Sequence, residues 1–323
     1  QMAILVYVEH TEGKFKKSAF EVVSYASALA AKMGTSLSAL AIGAIENSEL
    51  LKLADYGAQK ILHASPDSVK GFVNQAYASI VAEAATSEQS DVVCLSNTFS
   101  AKGLAPRIAV KLGASFGNGI VDLPDLSDGK FCIKTTAFSG KAFSFEELTQ
   151  LKKVITISPN SFGVTEQKTS GNIVPFSATL VSTDLGTLIK EIVRNTDKIS
   201  LPDAERVVSA GRGLKGPENW KMVEELAELL GAATACSKPV SDAGWRPHSE
   251  HVGQTGITIS PNLYIAIGIS GAIQHIAGVS SSKVIVVINT DPEAPFFKVA
   301  DYGIVGDAFD VIPKLIEAVK ANR

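Results

Sequence analysis

The sequence predicts an α/β protein of two domains, and three observations carry the prediction. Short apolar runs alternate with helical patterns from Met2 to about Gly113, the same alternation resumes after Ile199, and the polar segment SLPDAE lies between the two. Strands that alternate with helices build parallel sheets covered on both faces. The chain has 323 residues, 46% of them apolar, which is material for two cores. The expected division is 1–200 for an N-terminal parallel-sheet domain of nucleotide-binding type and 201–323 for a doubly wound C-terminal domain.

The elements follow in order. ILVYV starts the first sheet and FEVVSYASALAAKMG supplies the first crossover helix. LSALAIG with ELLKLADYG, KILHA with a helix before Asp91, and DVVCL with GLAPRIAVKLG repeat the unit. Between Gly117 and about Asn195 the pattern blurs. KFCIKTTAF, KVITI and NIVPFSATLV read as β-rich pieces separated by Gly, Ser and Pro, and TLIKEIVRN fits helix and strand equally. SLPDAE reads as a linker. RVVSA then opens the second domain, followed by GRGLKG and the helix PENWKMVEELAELLG. Pro217 suits the first turn, Trp220, Val223, Ala227 and Leu230 share a face, and Gly231 suits the C-terminal cap. Strands follow at AATAC, LYIAIGI, KVIVVI and YGIVG. Asp307 reads as the N-cap of a last helix burying Phe309, Ile312, Ile316 and Val319.

Composition narrows the function. A net charge of -3 leaves no basic footprint for nucleic acid. The first apolar run has no cationic stretch before it, and no run approaches the roughly 20 residues that span a bilayer, so a soluble intracellular protein without stable membrane insertion is expected. The three cysteines, Cys94, Cys132 and Cys236, form no C-x-x-C pair and signal neither disulfide nor metal site; they read as small buried hydrophobes.

In open α/β sheets ligands bind beyond the carboxyl ends of the strands. In the second domain those ends carry Gly211, Arg212 and Gly213, then Ser237 and Lys238, then Ser270 and Gly271, then Asn289 and Thr290, then Asp307 and Ala308. GRGLKG matches the G-x-G-x-x-G fingerprint of dinucleotide sites, although a tight turn without ligand has the same pattern. The acidic residue such a fingerprint places after the second strand is missing: Cys236, Ser237 and Lys238 stand there, which counts against a nicotinamide-dependent dehydrogenase. Arg212 beside glycine amides is instead an anion site. Val252, Gly253, Gln254, Thr255 and Gly256 form a loop whose amides and side chains suit a flat heterocycle. SGAIQH opens a helix with its amides toward the crevice, and His275 lies one turn in.

AGRGLKGPENW, SDAGW, VGQTG, LYIAIGISGAIQH and INTDPEAPFFKVADYGIVGD, in this order and spacing, resemble the alpha subunits of electron transfer flavoproteins. The likeness is close from Ala210 onward and looser before it, through LAPRIAVKLGASFGNGIVDL. It implies an FAD-binding second domain, a first domain that contacts a beta subunit, and a heterodimer whose beta subunit carries AMP. It implies an electron carrier rather than an enzyme, with no catalytic residues. Electrons would arrive from flavin-linked dehydrogenases such as the acyl-CoA dehydrogenases of fatty acid β-oxidation and leave to a quinone oxidoreductase or another acceptor. The implied setting is the cytoplasm of a bacterium or the mitochondrial matrix of a eukaryote.

The resemblance also implies roles residue by residue. Arg212 and Ser237 would contact the FAD diphosphate or its surroundings, Val252, Gly253, Gln254 and Thr255 would border the isoalloxazine, and the Thr255 hydroxyl would lie near N5. Ser270, Gly271, Ala272, Ile273, Gln274 and His275 would hold the ribityl chain and ring, with His275 at the N1 and C2 carbonyl edge, where added negative charge collects. Asn289, Asp307 and Ala308 would reach the adenosine half. Lys238 departs from the arginine that many members have beside the flavin, keeping the charge and losing the planar fork. A bifurcating or nitrogen-fixation-type member, with a second FAD on its beta subunit and NADH as donor, fits the same alpha chain. A nucleotide-binding or sensor module without redox chemistry is a further class.

Overall fold

The computed structural model describes residues 3–138, 140, 142–191 and 199–322. The chain divides into two compact units, Gln1–Thr136 with Phe143–Val193, and Ala137–Ala142 with Arg194–Arg323.

The first unit runs β1 (Ala3–Val8), the short hairpin β2 (His10–Thr11) and β3 (Lys14–Phe15), α1 (Lys17–Met33), β4 (Ser36–Ile42), α2 (Asn47–Leu50), β5 (Lys60–Ala64), α3 (Asn74–Ser87), β6 (Ser90–Ser96), α4 (Phe99–Leu112), β7 (Ser115–Ile120), β8 (Cys132–Ala137), β9 (Ala142–Glu147), β10 (Lys153–Ile157) and β11 (Asn172–Pro175). Its sheet has the order β11-β5-β4-β1-β6-β10-β7-β8-β9, parallel as far as β7 and antiparallel from β7 to β8. β1 is apolar throughout because both its faces are covered. Ile4, Val6 and Val8 join one core with Val22, Val23 and Leu29 of α1, while Leu5 and Tyr7 join another with Ile80 of α3 and Leu104 and Ile108 of α4.

The blurred stretch resolves into the sheet's far side. β7, SFGNGI, lacks apolar patterning because its neighbours fill the space above it: a Cβ on Gly117 would lie 2.8 Å from Ile133 Cδ1 and 3.3 Å from Leu148 Cδ1. Of NIVPFSATLV only Asn172–Pro175 pairs, as the parallel edge strand beside β5. ELLKLADYG splits into α2 and a 3-10 turn, Leu51–Asp55. In TLIKEIVRN, residues 187–191 are neither helix nor strand and the rest lies outside the described residues. Cys94 and Cys236 are buried, and Cys132 is half-buried.

Two buried carboxylates tie loops to this core. Glu21, on α1, accepts the amides of Asn160, Phe162 and Gly163 at 2.8, 3.0 and 2.9 Å. Glu49, on α2, accepts the Phe15 amide at 3.0 Å and the ammonium groups of Lys52 and Lys14 at 2.8 and 3.4 Å, anchoring the β2–β3 hairpin. The Lys52 bond, then the Phe15 amide, hold the Glu49 carboxyl down at about 2 against the cost of burial. A depressed native pKa adds stability that is present above the ordinary value near 4.5 and lost as pH falls toward 2. Glu49→Gln is therefore expected to flatten the decline in stability between those pH values. Urea denaturation followed by circular dichroism checks this, and identical pH profiles for variant and wild type would contradict it.

The second unit runs β12 (Arg206–Ala210), α5 (Lys221–Leu230), β13 (Ala233–Cys236), α6 (Lys238–Asp242), β14 (Leu263–Ile267), α7 (Ile273–Ala277), β15 (Val284–Asn289), β16 (Tyr302–Val305) and α8 (Ala308–Ala321). Its five strands are all parallel in the order β13-β12-β14-β15-β16, the 2-1-3-4-5 order of a doubly wound sheet. Val208, Ala210, Ile265 and Ile267 pack under α5 and α8, while Val207, Tyr264 and Ala266 pack on the other face with Val252, Val279 and Phe296. α5 ends at Gly231 and α8 starts at Asp307, whose carboxylate accepts the Phe309 amide at 3.0 Å, as the sequence predicts. Ile312 and Ile316 are buried, whereas Phe309, Val319 and Leu230 are half-buried. SLPDAE is not a free linker. Leu201–Asp203 form a 3-10 turn, and Leu201 and Ala204 are buried in this unit's core.

Candidate functional site

The strand order reverses between β12 and β14, so the crevice lies beyond their carboxyl ends. There the turn Gly211-Arg212-Gly213 lies flat against Gly268: the Gly211 amide donates to the Ile267 carbonyl at 2.9 Å and the Gly213 amide to the Gly268 carbonyl at 3.2 Å. A Cβ on Gly213 would lie 2.6 Å from the Gly268 Cα. The glycines thus bring two backbones into contact at the switch point. The Arg212 guanidinium is left exposed, with no ion pair or hydrogen bond among the described residues.

The neighbouring connections converge on this edge. Ser237 is buried at the head of α6, its amide donating to the Ala210 carbonyl at 3.2 Å, and Lys238 beside it is exposed. The Val252 amide donates to the Cys236 carbonyl at 3.1 Å, which lays the VGQTG loop beside β13. The Gln254 amide donates to the Gln274 carbonyl at 2.7 Å, joining that loop to the segment after β14. Gln254, Thr255, Ser270, Ala272, Ile273 and Gln274 are exposed along the crevice, while Val252, Gly253 and Gly271 are buried beneath it. The helix opened by SGAIQH is a single turn, too short for a large dipole.

At the other end a cavity of about 190 Å³ is lined by Gly213, Lys215, Gly268, Asn289, Thr290, Asp307 and Ala308. Three predicted residues, Asn289, Asp307 and Ala308, therefore share one cavity. The Asn289 side-chain amide donates through Nδ2 to the Ile269 carbonyl at 3.0 Å, bracing β15 against the end of β14. The Phe309 amide, assisted by Lys215 at 3.5 Å, holds the Asp307 carboxyl below its usual range. Lys215 was not singled out by the motif, in which it counts only as a spacer. Its backbone is left-handed and its ammonium lies 4.9 Å from the Phe309 ring centroid.

His275 is buried rather than displayed. Its Nε2 lies 2.7 Å from the Tyr264 hydroxyl, and its Nδ1 is sealed from solvent without a hydrogen bond of good geometry. Burial, then the neighbouring His251, push its pKa down to about 4, the Val252 backbone pulling weakly the other way. His251, 2% exposed, also has an unpartnered Nδ1 and is lowered mainly by burial. Pattern reading missed Tyr264 and His251 because nothing local marks them: Tyr264 sits inside an apolar strand, and its partner comes eleven residues later.

Two family models match. Residues 4–181 match the electron transfer flavoprotein domain and residues 200–280 the electron transfer flavoprotein FAD-binding domain. The electron transfer flavoprotein subunit alpha of Bacillus subtilis is 38% identical over 98% of this chain and 97% of its own length. Protein FixB of Clostridium saccharobutylicum is 33% identical over 98% and 96%. A probable mitochondrial electron transfer flavoprotein subunit alpha of Caenorhabditis elegans is 34% identical over 98% and 93%. The second unit is an FAD-binding domain, and the chain, alike over its whole length to these proteins, belongs to the alpha-subunit family of the electron transfer flavoproteins.

Proposed function

We propose that the chain is the FAD-binding half of a heterodimeric carrier. It would take electrons from flavin-linked dehydrogenases, acyl-CoA dehydrogenases among them, and deliver them one at a time to a quinone oxidoreductase or another acceptor. The observation that carries the reading is the switch-point crevice, where an unpaired guanidinium, the exposed Gln254 and Thr255 of a loop whose other amides are spent on this chain's own carbonyls, and a cavity lie along the carboxyl edge of one sheet. An anion beside paired glycines, a flat ring beside Gln254 and Thr255, and a nucleoside in the Asn289–Asp307 cavity match that edge in order. The buried, unpartnered Nδ1 of His275 behind the loop is a further polar group in keeping with a polar ligand there.

In this reading Arg212 binds the diphosphate and Ser237 supports the turn. Val252, Gly253, Gln254 and Thr255 border the ring; Ser270, Gly271, Ala272, Ile273, Gln274 and His275 hold the ribityl side; Asn289, Asp307 and Ala308 hold the adenosine. FAD when bound supplies stepwise one-electron chemistry. This chain binds and orients it and sets the charge around it. Among the described residues no helix is long and apolar enough to cross a membrane. The first unit would serve the beta subunit, which would carry AMP. Co-purification with that subunit tests the reading: one flavin and one AMP per heterodimer support it, and a flavin-free complex ends it. Two flavins would favour the bifurcating alternative, to which the FixB relative draws notice.

Lys238 gives a second test. It is exposed at the start of α6, so water screens it, and its effect on the flavin should be modest. Lys238→Ala is expected to lower the flavin potential by at most about 60 mV, the equivalent of a tenfold change for one electron. Lys238→Arg is expected to stay near wild type. Spectroelectrochemical titration decides, and coincident potentials in all three proteins would place Lys238 outside the flavin's field.

A further inference from the structure

The turn at 253–256, Gly-Gln-Thr-Gly, closes on itself, and a ring fills its buried side. The Gly253 amide donates to the Ile257 carbonyl at 3.2 Å, the Gly256 amide to the Gly253 carbonyl at 3.1 Å, and the Ile257 amide to the His251 carbonyl at 2.9 Å. Gln254 and Thr255 at the tip are exposed, whereas His251 is 2% exposed. A Cβ on Gly256 would lie 2.8 and 2.9 Å from Nδ1 and Cγ of that imidazole, besides meeting the His251 carbonyl, and one on Gly253 would lie 3.4 Å from its Nε2. The ring therefore rests against both ends of the turn, and at Gly256 it comes closer than a residue with a Cβ permits.

The imidazole is itself fixed from behind. It follows the 3-10 turn His248–Glu250, whose Glu250 carboxylate accepts from Arg246 Nε at 2.7 Å and Nη2 at 2.8 Å. Two parallel bonds of this kind set an orientation as well as a distance. Arg246 Nη1 also donates to Glu224 on α5 at 2.8 Å, and the guanidinium lies 5.2 Å from the Trp220 ring centroid. The exposed His248 ring covers another side of the imidazole, with centroids 5.3 Å apart. A line of contacts thus runs from α5 through Arg246 and Glu250 to His251 and the turn.

The last link is one of shape. His251 Nδ1 is sealed from solvent without a hydrogen-bond partner among the described residues, so the ring meets Gly256 through its volume. Removing it would leave a gap beneath two glycines, the residues freest to move into it.

We propose that His251 is a positioning residue for the ring-binding side of the crevice. Its imidazole is the floor that holds the turn at 253–256, and through it the Gln254 and Thr255 side chains, in one place. The consequence for FAD rests on the reading above; the floor itself does not.

The experiment compares the full wild-type chain with His251→Ala by two measurements. Hydrogen exchange read by nitrogen-15 NMR is expected to quicken at the Gly253, Gly256 and Ile257 amides of the variant. Titration is expected to show FAD bound about tenfold more weakly, because two tip side chains must now be ordered at each binding event. ADP, which has the adenosine and diphosphate without the flavin ring, is expected to stay within about twofold of wild type. Wild-type FAD affinity in the variant, a loss shared equally by FAD and ADP, or unchanged exchange at the three amides overturns the proposal. If His251→Ala does not fold, His251→Gln takes its place: a smaller change in the same direction is expected, and wild-type behaviour overturns the proposal. If the wild type binds no FAD, the flavin reading fails and the exchange rates alone decide on the floor.

Discussion

Gly268→Ala is expected to weaken FAD binding by on the order of tenfold or more and to destabilise the second unit by about 2 to 4 kcal/mol. Gly268 has φ of 59°, in the left-handed region, where a side chain is strained by about 1 to 3 kcal/mol. A Cβ there would lie 2.8, 3.2 and 3.3 Å from the Cα, C and N of Gly213, all backbone atoms, with no flexible side chain to yield. Relief requires the Gly211–Gly213 turn to move away, carrying Arg212 out of register with the rest of the edge. Trp220 and Trp245, the chain's two tryptophans, both lie in this unit, so fluorescence in urea reports its unfolding alone. An alanine variant with the wild-type midpoint and wild-type FAD affinity would show that the contact between the two glycines is dispensable.

Glu21→Ala is expected to cost the first unit about 3 kcal/mol, because three amides lose a charged acceptor at once. Glu21 is 3% exposed and Asn160 8%, so water cannot simply replace the carboxylate at that end. Glu21→Gln keeps one acceptor oxygen and should recover part of the loss. Hydrogen exchange at Asn160, Phe162 and Gly163 is the direct measure. Unchanged protection in the alanine variant would mean that this loop is held by something other than the carboxylate.

Much of the fold was legible because its strands are continuous apolar runs and its helices carry their own caps, as at Asp307 and Gly231. What escaped depends on distant neighbours. β7 is a strand although its residues are small and polar, because Ile133 and Leu148 fill the space that larger side chains would need. SLPDAE reads as solvated by composition, but one leucine and one alanine suffice to dock it. Of the site, the backbone turns were readable from glycine spacing. The group behind them was not, since Tyr264 and His251 lie on segments apart from His275 and come near it only once the sheet closes.

The docking of Leu201 has a practical consequence for anyone cutting the gene. A fragment started at the first residue of β12, the natural place to begin by strand pattern, would lack Leu201 and Ala204 and leave their recess in the core open to water. Removing a buried leucine commonly costs about 2 to 5 kcal/mol, a large part of the stability of a domain this size. A fragment of the flavin domain should therefore begin upstream of Ser200, and a poorly behaved shorter one would say more about its primer than about its fold.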